Sequence, residues 1–191
     1  MYGISLQNGM TMQTEQIVLG GGCFWCIEAA YQLIEGVATV VPGYSGGDTK
    51  EPTYREVCSG TTGHAEVVRV EFDPSVISLE KILEIFWTIH DPTTLNRQGA
   101  DIGTQYRSIL RAKDEEQLRA AEKSRDAAAA LWDAPIVTDI GLLRHFYPAE
   151  EEHHNYFRKH PTAGYCQVVI NPKLAKMQQQ YGELLKDATS F

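Results

Sequence analysis

The stretch from Gln16 to Cys26 constrains this chain more than any other. Gln16-Ile17-Val18-Leu19 is a short apolar run that reads as a buried strand. Beyond it, Ile27, Ala30, Tyr31 and Ile34 recur at i, i+3, i+4 and i+7, one face of a helix. Gly20, Gly21 and Gly22 stand between, so the chain turns from strand to helix there, and Cys23 falls in or beside the first helical turn. Glycines supply positive φ and let other atoms come close. The unpaired N–H groups of a helix start favour a thiolate, which predicts an activated cysteine at position 23. A buried packing role is the commoner fate of a free cysteine. The glycines, the helix start and a second cysteine, Cys26, at i+3 weigh toward chemistry.

The rest of the chain interleaves strands and helices. Val37–Val41 reads as a strand closed by Pro42-Gly43, and Tyr44 to Tyr54 as a Gly/Pro-punctuated loop. Glu66–Phe72 alternates like a strand with one covered face, and Ser78 caps a helix carrying Leu79, Ile82, Leu83 and Phe86. His90-Asp91-Pro92 breaks that helix, and Thr93 to Tyr106 is a polar loop. Arg107–Leu110 is a short strand, Asp114–Leu131 a helix and Ile136–Thr138 another strand. Ala149–Lys159 suits a helical turn or two, Gln167–Ile170 a last strand and Lys173–Leu185 a closing helix. With 191 residues, no repeat and no linker, these elements predict one α/β domain over residues 15–191: a mixed sheet covered mainly on one side by helices. Met1–Thr14 is a polar tail without the basic and apolar regions of a secretory signal.

Composition removes several classes of function. A net charge of −8 argues against nucleic acid or an anionic membrane as the main partner. No run approaches the length of a membrane span. The glycines before Cys23 lack both the G-x-G-x-x-G spacing and a Walker lysine, so nucleotide binding has little support. Of four cysteines, only Cys23 and Cys26 are close in sequence, while Cys58 and Cys166 stand alone. That spacing suits a zinc site poorly and thiol chemistry in a reducing cytosol well. The polar loops bring candidate partners: Tyr54, His64, Glu66, Asp101, Tyr106 and, further on, His153. Phe24 and Trp25 offer an apolar wall beside the sulfur. In isolation Glu66 could be a solvated strand-end carboxylate, the tyrosines ordinary half-buried aromatics and the histidines scaffold residues. The residues alone lead to a cytosolic thiol enzyme of redox type. A thioredoxin-like dithiol exchanger using Cys23 and Cys26, or a Cys-His hydrolase with His64 or His153 as base, are the competing readings.

The chain also carries Gly22-Cys23-Phe24-Trp25, Pro52-Thr53-Tyr54, Val57-Cys58-Ser59-Gly60 and Thr62-Gly63-His64-Ala65-Glu66. His90-Asp91-Pro92-Thr93, Asn96-Arg97-Gln98-Gly99, Asp101, Gly103 to Ser108, and Ala149-Glu150 with His153 follow in order. In these it closely resembles the A-type peptide methionine sulfoxide reductases, from about Gln16 to Ile170. The resemblance implies a two-layer α/β sandwich related to the ferredoxin-like plait, with no metal or organic cofactor and thioredoxin as the reductant. It implies reduction of the S epimer of methionine sulfoxide, free or in proteins, by a cytoplasmic and monomeric enzyme. Carried over by position, Cys23 is the nucleophile, Glu66 the acid, Tyr54 and Tyr106 hold the sulfoxide oxygen, Asp101 supports the site, and Phe24 and Trp25 receive the S-methyl group. Many relatives have Gly where this chain has Cys26 and resolve with a cysteine at the position of Cys166, so both are candidate resolvers, with Cys26 slightly favoured. Cys58 reads as a structural thiol. Met10 and Met12 are candidates to dock in a neighbour's pocket.

Overall fold

A computed structural model describes residues 14–186. The tail, with Met10 and Met12, lies outside them. The strand–turn–helix unit forms as the spacing predicts: β1 (Glu15–Gly20) leads through the glycines into α1 (Phe24–Gln32), with Cys23 as its N-cap. Ile27, Ala30, Tyr31 and Ile34 are all buried. Burial of that face contributes roughly 1.5–3 kcal/mol for each large side chain.

Six strands make the main sheet. In chain order they are β1, β2 (Val37–Ser45), β3 (Ala65–Phe72), β6 (Ile109–Ala112), β7 (Asp139–Leu142) and β8 (Tyr147–Pro148); β4 (Arg97–Gln98) and β5 (Asp101–Ile102) form a separate small hairpin. The spatial order is β7-β6-β1-β3-β2-β8, parallel between β6 and β7 and antiparallel elsewhere. The mixed, single-domain α/β architecture expected from the sequence is what forms. Strand alternation sorts the side chains. Ile17, Leu19, Val68, Val70, Phe72 and Leu110 meet the core built with α1, α3 (Leu79–Ile89), α4 (Glu115–Ala128), the short α5 (Tyr156–Lys159) and α6 (Asn171–Tyr181). Val18, Ala65, Val67 and Ile109 face the other way, under Leu143 and Phe146 of the β7–β8 connection.

Several elements differ from expectation. The second strand does not close at Pro42-Gly43 but continues to Ser45. Pro42 lies opposite Val68, and its carbonyl accepts from Ala149 N–H at 2.9 Å, so its missing N–H leaves the ladder intact. The supposed loop ends in a short helix, α2 (Tyr54–Cys58). It is opened by a capping box in which Thr53 Oγ1 accepts from Glu56 N–H while the Glu56 carboxylate accepts from Thr53 N–H. Ile136–Thr138 lies outside the ladder: Val137 N–H donates to Pro92 O at 2.8 Å, and pairing with the sheet begins only at Asp139. Gln167–Ile170 is not a strand. Cys166–Ile170 is a π-helical turn continuous with α6, and Val168 points to solvent.

Candidate active site

Two of the three glycines serve a need other than positive φ. A side chain on Gly20 would meet the Glu66 carbonyl, and one on Gly21 the His90 ring, each at 2.6 Å. Only Gly22 has positive φ, +95°. What comes close is therefore the protein itself: β3 on one side and the end of α3 on the other. His90 is fully enclosed, its Nδ1–H on Phe86 O and its Nε2 on Ser108 Oγ, both at 2.7 Å. Burial pushes it down to about 4, so it stays neutral. The loop after it is braced by Gln98, which accepts from Asp91 N–H and donates to Asp91 O while its stem packs against Gly22.

Glu66 is in phase with Val68, Val70 and Phe72, so the alternation of β3 sends its carboxyl into the core face, under the start of α1. It is 1% exposed and its Oε2 accepts from Phe24 N–H at 3.0 Å. That bond favours the charged form, but burial outweighs it, and with the charges of Asp101 and Cys26 pushes the carboxyl up to about 8. Since Oε2 is occupied as an acceptor, the acid proton stands on Oε1.

Cys23 is buried beside this carboxyl. Burial first, then its hydrogen bond with Cys26 and the proximity of Glu66, raise its thiol well above the usual range; the Trp25 N–H pulls the other way and is outweighed. Desolvation thus opposes the help that the helix start gives to a thiolate at Cys23. Cys26, in the same hydrogen bond, is brought down to about 7 by Cys23 and, less strongly, by the Lys173 charge. Cys26 Sγ lies 3.8 Å from Tyr165 Oη, and that hydroxyl donates to Asp101 Oδ2 at 2.9 Å. All four cysteines are thiols. Cys166 is wholly enclosed, raised by burial and then by Cys26; Cys58 is half-buried, raised by burial and then by Glu66.

The two expected phenols both feel the charge of the same carboxyl. Tyr54 opens α2, and Tyr106 ends a 3-10 turn, Thr104–Tyr106, that Arg107 ties down by donating to Thr104 O and Gly63 O. Gln105 Nε2–H donates to Cys58 O at 3.4 Å, joining that turn to α2. Both phenols are raised by burial first and then by Glu66, so they remain protonated donors. Phe24 stacks on Tyr54 with ring centres 6.3 Å apart, and Trp25 stacks on Tyr156 at 3.7 Å.

Every predicted site residue except Cys166 thus gathers around the start of α1, while Cys166 lies behind it in the core. Of the histidines offered as bases, His64 has both nitrogens engaged, Nδ1 accepting from Gly47 N–H and Nε2–H donating to Thr49 O. His153 packs its ring on Tyr54 at 4.3 Å. The sequence reading missed Tyr44, Tyr156 and Tyr165. Tyr44, read as the start of a loop, lies opposite Glu66 in the ladder, on the core face. It also missed Glu28, whose Oε1 accepts from Asn155 N–H at 2.7 Å and so holds the turn that presents Tyr156. Among the described residues, no group of three or more His, Cys, Asp or Glu side chains is placed to hold a metal ion, and no helix is long and apolar enough to cross a membrane.

Comparison with known proteins agrees over nearly the whole chain. Residues 15–185 match the family model described as peptide methionine sulfoxide reductase. The chain is 58% identical over 162 residues to peptide methionine sulfoxide reductase MsrA of Leptospira borgpetersenii serovar Hardjo-bovis, spanning 85% of this chain and 92% of that one. Among solved structures it is similar to Mxr1 of Saccharomyces cerevisiae in reduced form (TM-score 0.76, 36% identity, 82% of this chain and 91% of that one). It is also similar to Mxr1 in complex with Trx2 (TM-score 0.54, 26% identity, 76% and 86%). A buried thiol pair facing an acid that titrates near 8, on a chain this close to those proteins along its length, places it in the peptide methionine sulfoxide reductase family.

Proposed function

We propose that this chain reduces methionine sulfoxide to methionine, with Cys23 as nucleophile and Glu66 as acid. The observation that carries the reading is the buried Glu66 carboxyl, held by the Phe24 N–H at the start of the helix that Cys23 caps and pushed up to about 8 by burial. A sulfoxide sulfur is electrophilic but its oxygen leaves badly, so an acid still protonated near pH 7 lowers the barrier as charge grows on that oxygen. Tyr54 and Tyr106 add two donors without adding charge. Cys23 gives its proton to the Cys26 sulfur and bonds to the substrate sulfur. Glu66 protonates the oxygen, and that hydroxyl passes to the Cys23 sulfur as the sulfur–sulfur bond breaks, its electron pair staying on the substrate sulfur. In net terms Cys23–SH and the sulfoxide give methionine and Cys23–SOH: the substrate sulfur gains two electrons, the cysteine sulfur loses two, and the oxygen changes hands.

A second thiol condenses with the sulfenic acid, releasing water and leaving a disulfide. Cys26 suits this step. It is hydrogen-bonded to Cys23 and brought down to about 7, whereas burial raises the Cys166 thiol, which feels Cys26 rather than Cys23. A dithiol protein of the thioredoxin class returns the pair to thiols, and the complex of Mxr1 with Trx2 supports that partner. Phe24 and Trp25 would receive the S-methyl group. Preference for the S epimer rests on the family resemblance, and a reducing compartment such as the cytoplasm suits four free thiols. The test is single turnover without reductant. One methionine per chain and a Cys23–Cys26 disulfide by peptide mapping are expected, and a Cys23–Cys166 link would overturn the assignment of the resolver. Disulfide reduction in insulin without any sulfoxide turnover would instead favour a dithiol exchanger.

A further inference from the structure

We propose that Glu150 is the positioning residue that sets the Tyr54 phenol against the sheet carrying Glu66; the inference rests on Tyr54 acting as a donor to the sulfoxide oxygen. Tyr54 needs such an anchor. It opens a helix of five residues, at the end of a loop punctuated by glycine and proline, and within α2 only Val57 is fully enclosed. So short a helix has little stability of its own, and its capping box is internal, fixing its conformation but not its place.

Glu150 supplies the place. Tyr54 N–H donates to its Oε1 and Tyr44 Oη–H to its Oε2, each at 2.7 Å. Tyr44 is the residue opposite Glu66 in the β2–β3 ladder. One carboxylate therefore joins the backbone of the donor tyrosine to the strand that flanks the acid. Glu150 is itself held to the frame: β8 pairs with Gly43 and Tyr44, and Ala149 N–H donates to Pro42 O at 2.9 Å. Three residues on in the same turn, His153 lays its ring on Tyr54 at 4.3 Å and on Phe24 at 5.4 Å. Neither of its nitrogens has a hydrogen-bond partner among the described residues, so it acts on Tyr54 through its faces. The turn from Glu150 to His153 thus grips Tyr54 by backbone and by ring. The two bonds hold Glu150 below the usual carboxylate range against its partial burial, so both acceptor oxygens stay available at neutral pH. Because a donor aimed at a developing oxyanion loses much of its effect when displaced by an ångström, this grip bears on the chemical step rather than on substrate affinity.

The experiment is a double-mutant cycle on the single-turnover rate of methionine formation from a methionine S-sulfoxide peptide, using the full chain. Glu150→Ala is expected to lower the saturating rate on the order of tenfold or more with the half-saturating concentration little changed. In a Tyr54→Phe background it should cost less than about twofold, since the hydroxyl it positions is gone. Glu150→Gln keeps an acceptor for the Tyr54 N–H and an amide that reaches Tyr44 Oη, and should recover most of the loss. Full additivity with Tyr54→Phe, an effect confined to half-saturation, or no rescue by Gln overturns the inference. A Tyr54→Phe enzyme as fast as the parent instead removes the donor role on which it rests. Should Glu150→Ala not fold, Tyr44→Phe removes one anchor of the same carboxylate and is read by the same cycle.

Discussion

Replacing Glu66 by Gln separates what this carboxyl does for the reaction from what it costs the fold. The group is enclosed and titrates near 8 in the fold, against 4.5 for an ordinary glutamate. Its folded pKa is therefore raised, and the penalty has a definite sign. Below 4.5 both states hold the proton and nothing is lost. Between 4.5 and 8 the unfolded chain ionises while the folded one does not, so stability falls as pH rises. Above 8 both are ionised and the penalty is complete. At pH 7 it amounts to roughly 3 kcal/mol. Gln cannot ionise and keeps an acceptor for the Phe24 N–H, so Glu66→Gln should gain on the parent across this window by about that amount, and by little at pH 4. Denaturant unfolding of both proteins at a series of pH values measures it. Over the same range the variant should form methionine more slowly in single turnover, by a factor on the order of 10² to 10⁴, and should lack the parent's decline in rate above pH 8. A stability difference that does not change between pH 4 and 8, or a variant as fast as the parent, would refute the reasoning.

His90 makes the opposite linkage. Its folded value near 4 lies below its ordinary 6.5, so stability present above 6.5 is lost as pH falls toward 4, to a total of roughly 3 kcal/mol; acid unfolding of His90→Gln should be flatter over that interval. Tyr54→Phe and Tyr106→Phe should each slow single turnover by about tenfold, and their combination by more, with unfolding midpoints near the parent's because each phenol is only half-buried. Cys26→Ser should still release one methionine per chain but leave Cys23 as sulfenic acid, open to a dione trap. Iodoacetamide should modify Cys26 at lower pH than Cys166 in the reduced protein, because Cys26 is brought down to about 7 while burial raises Cys166.

The parts of the fold that were legible are those where pattern and burial coincide. The β1–glycine–α1 unit and the Ser78-capped α3 stand where their periodicity places them, because each presents one apolar face to one core. Glu66 was more legible than a strand-end carboxylate, since its phase with Val68 and Val70 already sends it inward. α2 was signalled by Thr53 and Glu56 three residues apart, and the glycines and prolines around it masked that signal. Gln167–Ile170 misled because a short β-branched run has no period of its own. The helix that follows extends back through it, leaving Val168 exposed, and buries Cys166 and Ile170. The long-range contacts could not be read at all: Glu150 with Tyr54, Tyr165 with Asp101, and Glu28 with Asn155 depend on chain segments that only the finished sheet brings together. The same holds for the surroundings of Cys23. The sequence shows a helix start but not the depth of burial that opposes a thiolate there.

The account centres on oxygen leaving a sulfoxide for the Cys23 sulfur. The direct measurement uses a Cys26→Ser, Cys166→Ser chain mixed with one equivalent of methionine S-sulfoxide peptide, quenched with a dione and examined by peptide mass spectrometry. One methionine released and one dione adduct on Cys23 are predicted. Methionine formed with Cys23 unmodified, or formed equally by a chain in which Cys23 is also Ser, would contradict the account.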